Sequence, residues 1–181
     1  MQIKSEFIRG LLQKHGTIVI AHRGGNWSAD NSITNFKAAV ENNVEGVETD
    51  VWLSKDAVPM IVHGGDDGQL ALYGLPEEYV YNWTCDELKN KLKLPNGEQM
   101  PTLLEMLAVF KGSDILLNIE LKGPLSIERK ALYNFELAAK TVYDIIIDLK
   151  IQRNVMVSSF VPETITEMKK CLKLGREFML C

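Results

Sequence analysis

Six short apolar runs are spaced along the chain, and stretches of helical periodicity separate most of them. Residues 17–21 (TIVIA), 46–53 (GVETDVWL), 58–63 (VPMIVH), 114–121 (DILLNIEL), 155–160 (VMVSSF) and 177–181 each read as a strand. Helices are expected from Asn31 or Ser32 to about Asn43, and over 84–92, 102–110, 127–149 and 162–174. The first sixteen residues suit a short amphipathic helix with Ile3, Phe7, Leu11 and Leu12 on one side. The rest of 64–97 reads as irregular. Strands alternating with helices imply a largely parallel sheet covered by helices, which an open doubly wound sheet and a (β/α) barrel both satisfy. A complete eight-stranded barrel takes roughly 250 residues. The chain has 181, so a barrel here would be truncated after about the sixth strand. With no repeat or linker, residues 1–181 are expected to form a single domain.

Composition narrows the function classes. A chain with 46% hydrophobic and 24% charged residues is expected to fold without disulfides or structural metals. The net charge of −4, without a concentrated basic patch, argues against nucleic acid as a partner. Cys85, Cys171 and Cys181 are too few and too widely spaced for a disulfide framework or a zinc site. No run approaches the roughly 18 apolar residues of a membrane span. The N-terminus carries no signal-peptide pattern, so a cytoplasmic location is expected.

The chemistry-bearing residues fall at strand ends: His22-Arg23, Glu48 and Asp50, His63, then Glu120 and Lys122. In parallel α/β folds, ligands bind at the carboxyl ends of the strands. Alternation puts Glu48 and Asp50 on one strand face, roughly 7 Å apart along the backbone. Two anions turned inward need a compensating cation, and a hard divalent ion such as Mg²⁺ or Ca²⁺ prefers oxygen ligands. An exposed edge strand would also alternate acids with valines, so the pattern alone admits both readings. Glu120 can supply a third ligand or simply pair with Lys122.

The link between the second and third runs is too short for a helical crossover. A turn centred on Lys55 and Asp56 predicts antiparallel pairing with His63 opposite Glu48. Two histidines can share the two proton transfers of phosphodiester cleavage. Arg23 and Lys122 can offset the charge on the phosphoryl oxygens. Ser158 and Ser159 are candidates for the same cavity, whereas Trp52, Met60 and Phe160 are expected to pack. His15 reads as a surface residue.

Taken together, HRGG, the DNS segment, VEGVETDVWLSKDAVPMIVH, MPTLLEML, NIELK and VSSF resemble the glycerophosphodiester phosphodiesterase family. The resemblance spans roughly residues 18–160. It implies a (β/α)8, TIM-barrel type fold with one divalent cation at its carboxyl end. By position it makes His22 and His63 the catalytic pair, Glu48, Asp50 and Glu120 the metal ligands, and Arg23 and Lys122 the phosphate-binding cations. The implied reaction hydrolyses a small-molecule or lipid-derived glycerophosphodiester to an alcohol and glycerol 3-phosphate.

The chain departs from the family pattern at three places. Asp30-Asn31 stands where Glu-Asn is usual. Gly64, followed by an atypical GGDDGQLALYG, stands where an aspartate commonly follows the second histidine. The family's last strands are missing. A His-Gly pair looks more like the sphingomyelinase D branch. Cleavage that releases a cyclic phosphate, or a non-catalytic binding module, are the alternatives. Open barrel edges would favour self-association.

Overall fold

The computed structural model describes residues 6–173 and 179–180. In chain order the elements are α1 (Glu6–His15), β1 (Ile20–Ala21), α2 (Ile33–Glu41), β2 (Gly46–Leu53), β3 (Pro59–Ile61), β4 (Gln69–Leu70), β5 (Leu75–Tyr79), α3 (Cys85–Lys91), α4 (Leu103–Val109), β6 (Leu116–Leu121), α5 (Ile127–Lys130), α6 (Phe135–Asp148), β7 (Val155–Ser158), α7 (Pro162–Lys173) and β8 (Met179–Leu180). The main sheet runs β1-β2-β6-β7-β8, all parallel, and β3 adds antiparallel to the end of β2.

The two-residue alternation of the strands sorts side chains between two environments. Val47 and Val51 of β2, Leu117, Ile119 and Leu121 of β6, and Val155 and Val157 of β7 join one apolar cluster. Phe36 and Ala39 of α2, Met106 of α4, Ala139, Val142 and Ile146 of α6, and Met168 of α7 cover them. The alternate positions, Glu48 and Asp50 on β2, Asn118 and Glu120 on β6 and Ser158 on β7, take the other face. Register aligns Asp50 with Glu120 and Glu120 with Ser158, so a polar row crosses three strands. All eight residues of β2 are buried, which removes the solvated-edge reading of its two acids.

A second cluster forms around Trp52, which packs edge-on to Tyr133 at 5.8 Å between ring centroids. It contains the β4-β5 hairpin, which lies in the segment expected to be irregular. Its strands are two and five residues long, too short for their alternation to stand out.

Three further expectations need correction. The first run is not a buried strand: only Ile20–Ala21 pair, and Val19 is 63% exposed. The long helix over 127–149 is two helices. Tyr133 turns into the second core in the break, and Asn134 caps α6 by accepting the Leu137 N–H at 2.9 Å. The β2-β3 register is shifted by one residue, with Val51 opposite Ile61. The loop closes between Ser54 and Val58, and Ala57 takes a left-handed conformation at φ 62°. That is a three-residue hairpin rather than a two-residue one, so the extra loop residue leaves His63 one position short of Glu48. On the N-terminal helix the buried residue is Ile8. Ile3 lies outside the described residues, as do 177, 178 and 181 of the last expected strand.

Candidate active site

The first wall of the site is the turn at His22–Gly24. Arg23 adopts φ 53°, which aims its backbone N–H at Glu48 Oε2, 3.0 Å away. Gly24 sits at φ 89°, and a Cβ there would meet the Phe36 ring at 3.0 Å, so the turn can lie flat on α2 only with glycine. Asn35, fully buried in the first turn of α2, holds the loop. Its Nδ2 donates to Arg23 O (3.0 Å) and Gly25 O (2.9 Å), and its Oδ1 accepts from Trp27 N (3.1 Å) and Ser28 N (3.0 Å). Ser32 caps that helix by accepting the Asn35 N–H at 3.1 Å.

Glu48, Asp50 and Glu120 each offer an oxygen, and these three atoms lie within 4.8 Å of one another. Glu48 and Asp50 are 7% and 1% exposed. Asp50 Oδ2 accepts from Asn31 Nδ2 at 3.0 Å and lies 3.3 Å from Arg23 Nε. Lys122 Nζ lies 2.8 Å from Glu120 Oε1 and 3.4 Å from Asp50 Oδ1. Two cations thus face three carboxylates, and Arg23 is also drawn to Asp30 at 3.1 Å.

The shortage of positive charge is visible at Glu48. Burial, then repulsion from Asp50 and Glu120, pushes its carboxyl up to about 7 against the opposing Arg23 N–H bond and charge. Glu48 Oε1 and Asp50 Oδ1 are buried without a hydrogen-bond donor. Clustered oxygens, orphaned buried acceptors and a carboxylate starved of counter-charge fit a hard divalent cation.

His22 is 69% exposed in its side chain, with Nε2 3.7 Å from Glu48 Oε2. His63 is half-buried. Burial, helped by the charges of Arg23 and Lys122 and opposed by Asp50, holds its imidazole below the usual value. Its carbonyl accepts the Trp52 Nε1–H at 2.9 Å. His63, Glu120 and Lys122 line a cavity of about 300 Å³ together with Gly65, Asp66, Gly123, Leu125, Ser159, Phe160 and Val161.

The candidates from the sequence therefore gather, with His22 beside Glu48. Ser159 lines the cavity as expected, whereas Ser158 bonds to Asn118 Oδ1 at 2.9 Å. Trp52 and Met60 pack in the core, but Phe160 does not: it is 81% exposed at the cavity. His15 is at the surface, 3.7 Å from Glu45. Sequence reasoning missed Asn31 and Asn35 as organisers of the site. The available signal was an asparagine three residues after the Ser32 cap, where a glutamate or glutamine would complete a capping box.

Comparison with known proteins identifies the family. Residues 22–180 match the model of the Glycerophosphoryl diester phosphodiesterase family. A glycerophosphodiester phosphodiesterase of Caldanaerobacter subterraneus is 32% identical over 178 residues, covering 88% of this chain and 65% of that protein. Glycerophosphodiester phosphodiesterase 1 of Rattus norvegicus is 29% identical, over 83% of this chain and 45% of its own length. The crystal structure of a glycerophosphodiester phosphodiesterase from Parabacteroides distasonis superposes with a TM-score of 0.71 at 30% identity, over 90% of this chain and 63% of that one. An Oleispira antarctica phosphodiesterase, solved with the product sn-glycerol-3-phosphate, gives a TM-score of 0.72 at 26% identity, over 91% of this chain and 64% of that one. The chain spans less than two thirds of the length of these relatives. The architecture is that of the barrel-type phosphodiesterases, and the chain belongs to the glycerophosphoryl diester phosphodiesterase family.

Proposed function

We propose that the chain carries the catalytic apparatus for hydrolysing a glycerophosphodiester to an alcohol and glycerol 3-phosphate, with residues 1–181 acting as one domain in the cytoplasm. The observation that carries the reading is the set of Glu48, Asp50 and Glu120 oxygens within 4.8 Å, two of these acids keeping a buried, undonated oxygen. These three carboxylates would hold one cation, Mg²⁺ or Ca²⁺. A divalent ion there supplies the positive charge that polarises a phosphoryl oxygen and offsets its negative charge.

The chain's own groups do the rest. Lys122, on the cavity wall, binds a non-bridging phosphate oxygen. Arg23 fixes the loop through its N–H to Glu48 and lends charge to the same face. His63, neutral because burial lowers its proton affinity, takes a proton from the attacking water as the water oxygen bonds to phosphorus, and afterwards releases it to solvent. The bond from phosphorus to the alcohol oxygen breaks, and His22 gives that oxygen its proton. The exposed His22 ring regains a proton from solvent.

The test is phosphorus NMR of glycerophosphocholine incubated with the chain and Mg²⁺ or Ca²⁺. Glycerol 3-phosphate is expected from the parent, and its formation should fall about 10²–10⁴-fold in His22→Ala or His63→Ala. No product with any diester and either cation sinks the reading. A second reading draws on Phe160 and Leu125, which are 81% and 47% exposed at the cavity. They suit a diester with an apolar substituent, cleaved by its own hydroxyl. A persistent cyclic phosphate in the same spectra supports that route. Self-association through the β1 edge is read by sedimentation.

A further inference from the structure

We propose that Asp67 is a positioning residue that straps the loop behind His63 to the loop behind Lys122 and so sets the cavity between the two side chains. The inference rests on the functional reading above for what the cavity binds, though not for the strap itself.

Asp67 Oδ1 accepts two backbone N–H groups from a segment nearly sixty residues away, Leu125 at 2.8 Å and Ser126 at 2.7 Å. The Leu125 N–H is shared with Asp66 O at 3.2 Å. The two segments joined are the two sides of the cavity: Gly65 and Asp66 line one, Gly123 and Leu125 the other. Burial disfavours the ionised form, but the Ser126 N–H and hydroxyl, the Leu125 N–H and the charge of Arg129 hold the Asp67 carboxyl below its usual value. The bonds are therefore charge-assisted, the stronger kind.

The loop needs such a tie. Up to His63 the backbone is held by the sheet: Val62 N donates to Asp50 O at 3.1 Å, and Trp52 holds the His63 carbonyl. Immediately beyond come Gly64, Gly65 and Gly68, the first and last at φ 65° and 88°. Glycine gives up the most conformational freedom on folding. The loop closes on itself through Gly68 N to Gly65 O and Asp67 N to Gln69 Oε1, both 3.0 Å. Those bonds stiffen the turn without joining it to the Lys122 side. Asp67 and the Asp66 carbonyl make that junction.

The experiment compares isotopically labelled parent chain with Asp67→Ala, Asp67→Asn and Ser126→Pro. Asparagine keeps an acceptor oxygen. Proline deletes both Ser126 donors to Asp67, the backbone N–H and the hydroxyl, and leaves the Leu125 N–H, at a residue whose φ of −71° suits its ring. In Asp67→Ala the Leu125 and Ser126 amides should exchange about tenfold faster or more, and the His63 ring resonances should shift. KM for glycerophosphocholine should rise about tenfold while kcat changes less than about threefold. Asp67→Asn, which keeps the acceptor without the charge, should fall between the parent and Asp67→Ala in each value, as should Ser126→Pro at the Leu125 amide, the His63 ring and KM. Faster amide exchange with an unmoved His63 ring would reduce Asp67 to a local tie and overturn the proposal. So would equal losses in Asp67→Asn and Asp67→Ala. The ring resonances need no substrate, so a parent without turnover counts against the proposed function and leaves the strap decided by NMR.

Discussion

Replacing Asn31 tests how the acid pair is held. Its backbone lies at φ 59°, and it is 2% exposed. Its Nδ2 donates to Asp50 Oδ2 at 3.0 Å, and its Oδ1 accepts from Thr49 Oγ1 at 2.9 Å. Asp50 and Thr49 are each 1% exposed, so water does not readily replace the lost partners. Losing the bond to the charged acceptor costs about 1.5–3 kcal/mol and the neutral bond about 0.5–1.5 kcal/mol. Asn31→Gly, which accepts the left-handed backbone, should therefore be destabilised by about 2–4.5 kcal/mol. Asn31→Ala should lose about 1 kcal/mol more, because its Cβ is strained at positive φ. The assay is urea unfolding of the parent and both variants in chelator, with midpoints compared at constant m-value. Two variants of equal stability would refute the backbone argument. Two variants within about 0.5 kcal/mol of the parent would refute the hydrogen-bond argument.

Mg²⁺ or Ca²⁺ at a hundred times its dissociation constant should stabilise the parent by about 2.7 kcal/mol; calorimetric scans should show this rise in Tm for the parent and none for Glu120→Gln. Glu87 completes the cap of α3, and its bonds to Thr84 and then Lys91 pull its carboxyl from 4.5 down to about 2. The folded value is the depressed one, so its stabilisation is present above about pH 4.5 and is lost as pH falls towards 2; Glu87→Gln should flatten that part of the curve of unfolding midpoint against pH. Trp52→Phe removes the donor to the His63 carbonyl and should cost about 1–3 kcal/mol in chemical denaturation, with a shift of the His63 ring resonances.

Much of the fold was legible because its signals are local. The period of two along GVETDVWL put Glu48 and Asp50 on one face, and the structure keeps them there with Val47 and Val51 against the helices. Helices were expected from Thr84 and Thr102, and the structure starts both there, each closed by a capping box to the glutamate three residues on. Other features had no local signal. Ala57 entering the left-handed region shifted the β3 register by one residue, and nothing in its residue type announces that choice. Phe160 reads as apolar and therefore internal, yet it stands exposed where β7 has ended.

By itself, then, the sequence determined where β2, β3, β6 and β7 lie, which residues of β2 alternate to the polar face, and that acids, imidazoles and basic groups stand at strand ends. Those properties follow from backbone periodicity within a few residues. Tertiary structure alone decided that Asp50 and Glu120 align across neighbouring strands and that Arg23 turns its N–H to Glu48. It alone decided that Asp67 reaches the backbone of Leu125 and Ser126. Meetings between residues distant along the chain depend on strand stagger and loop closure, which are set by the packing of the whole sheet.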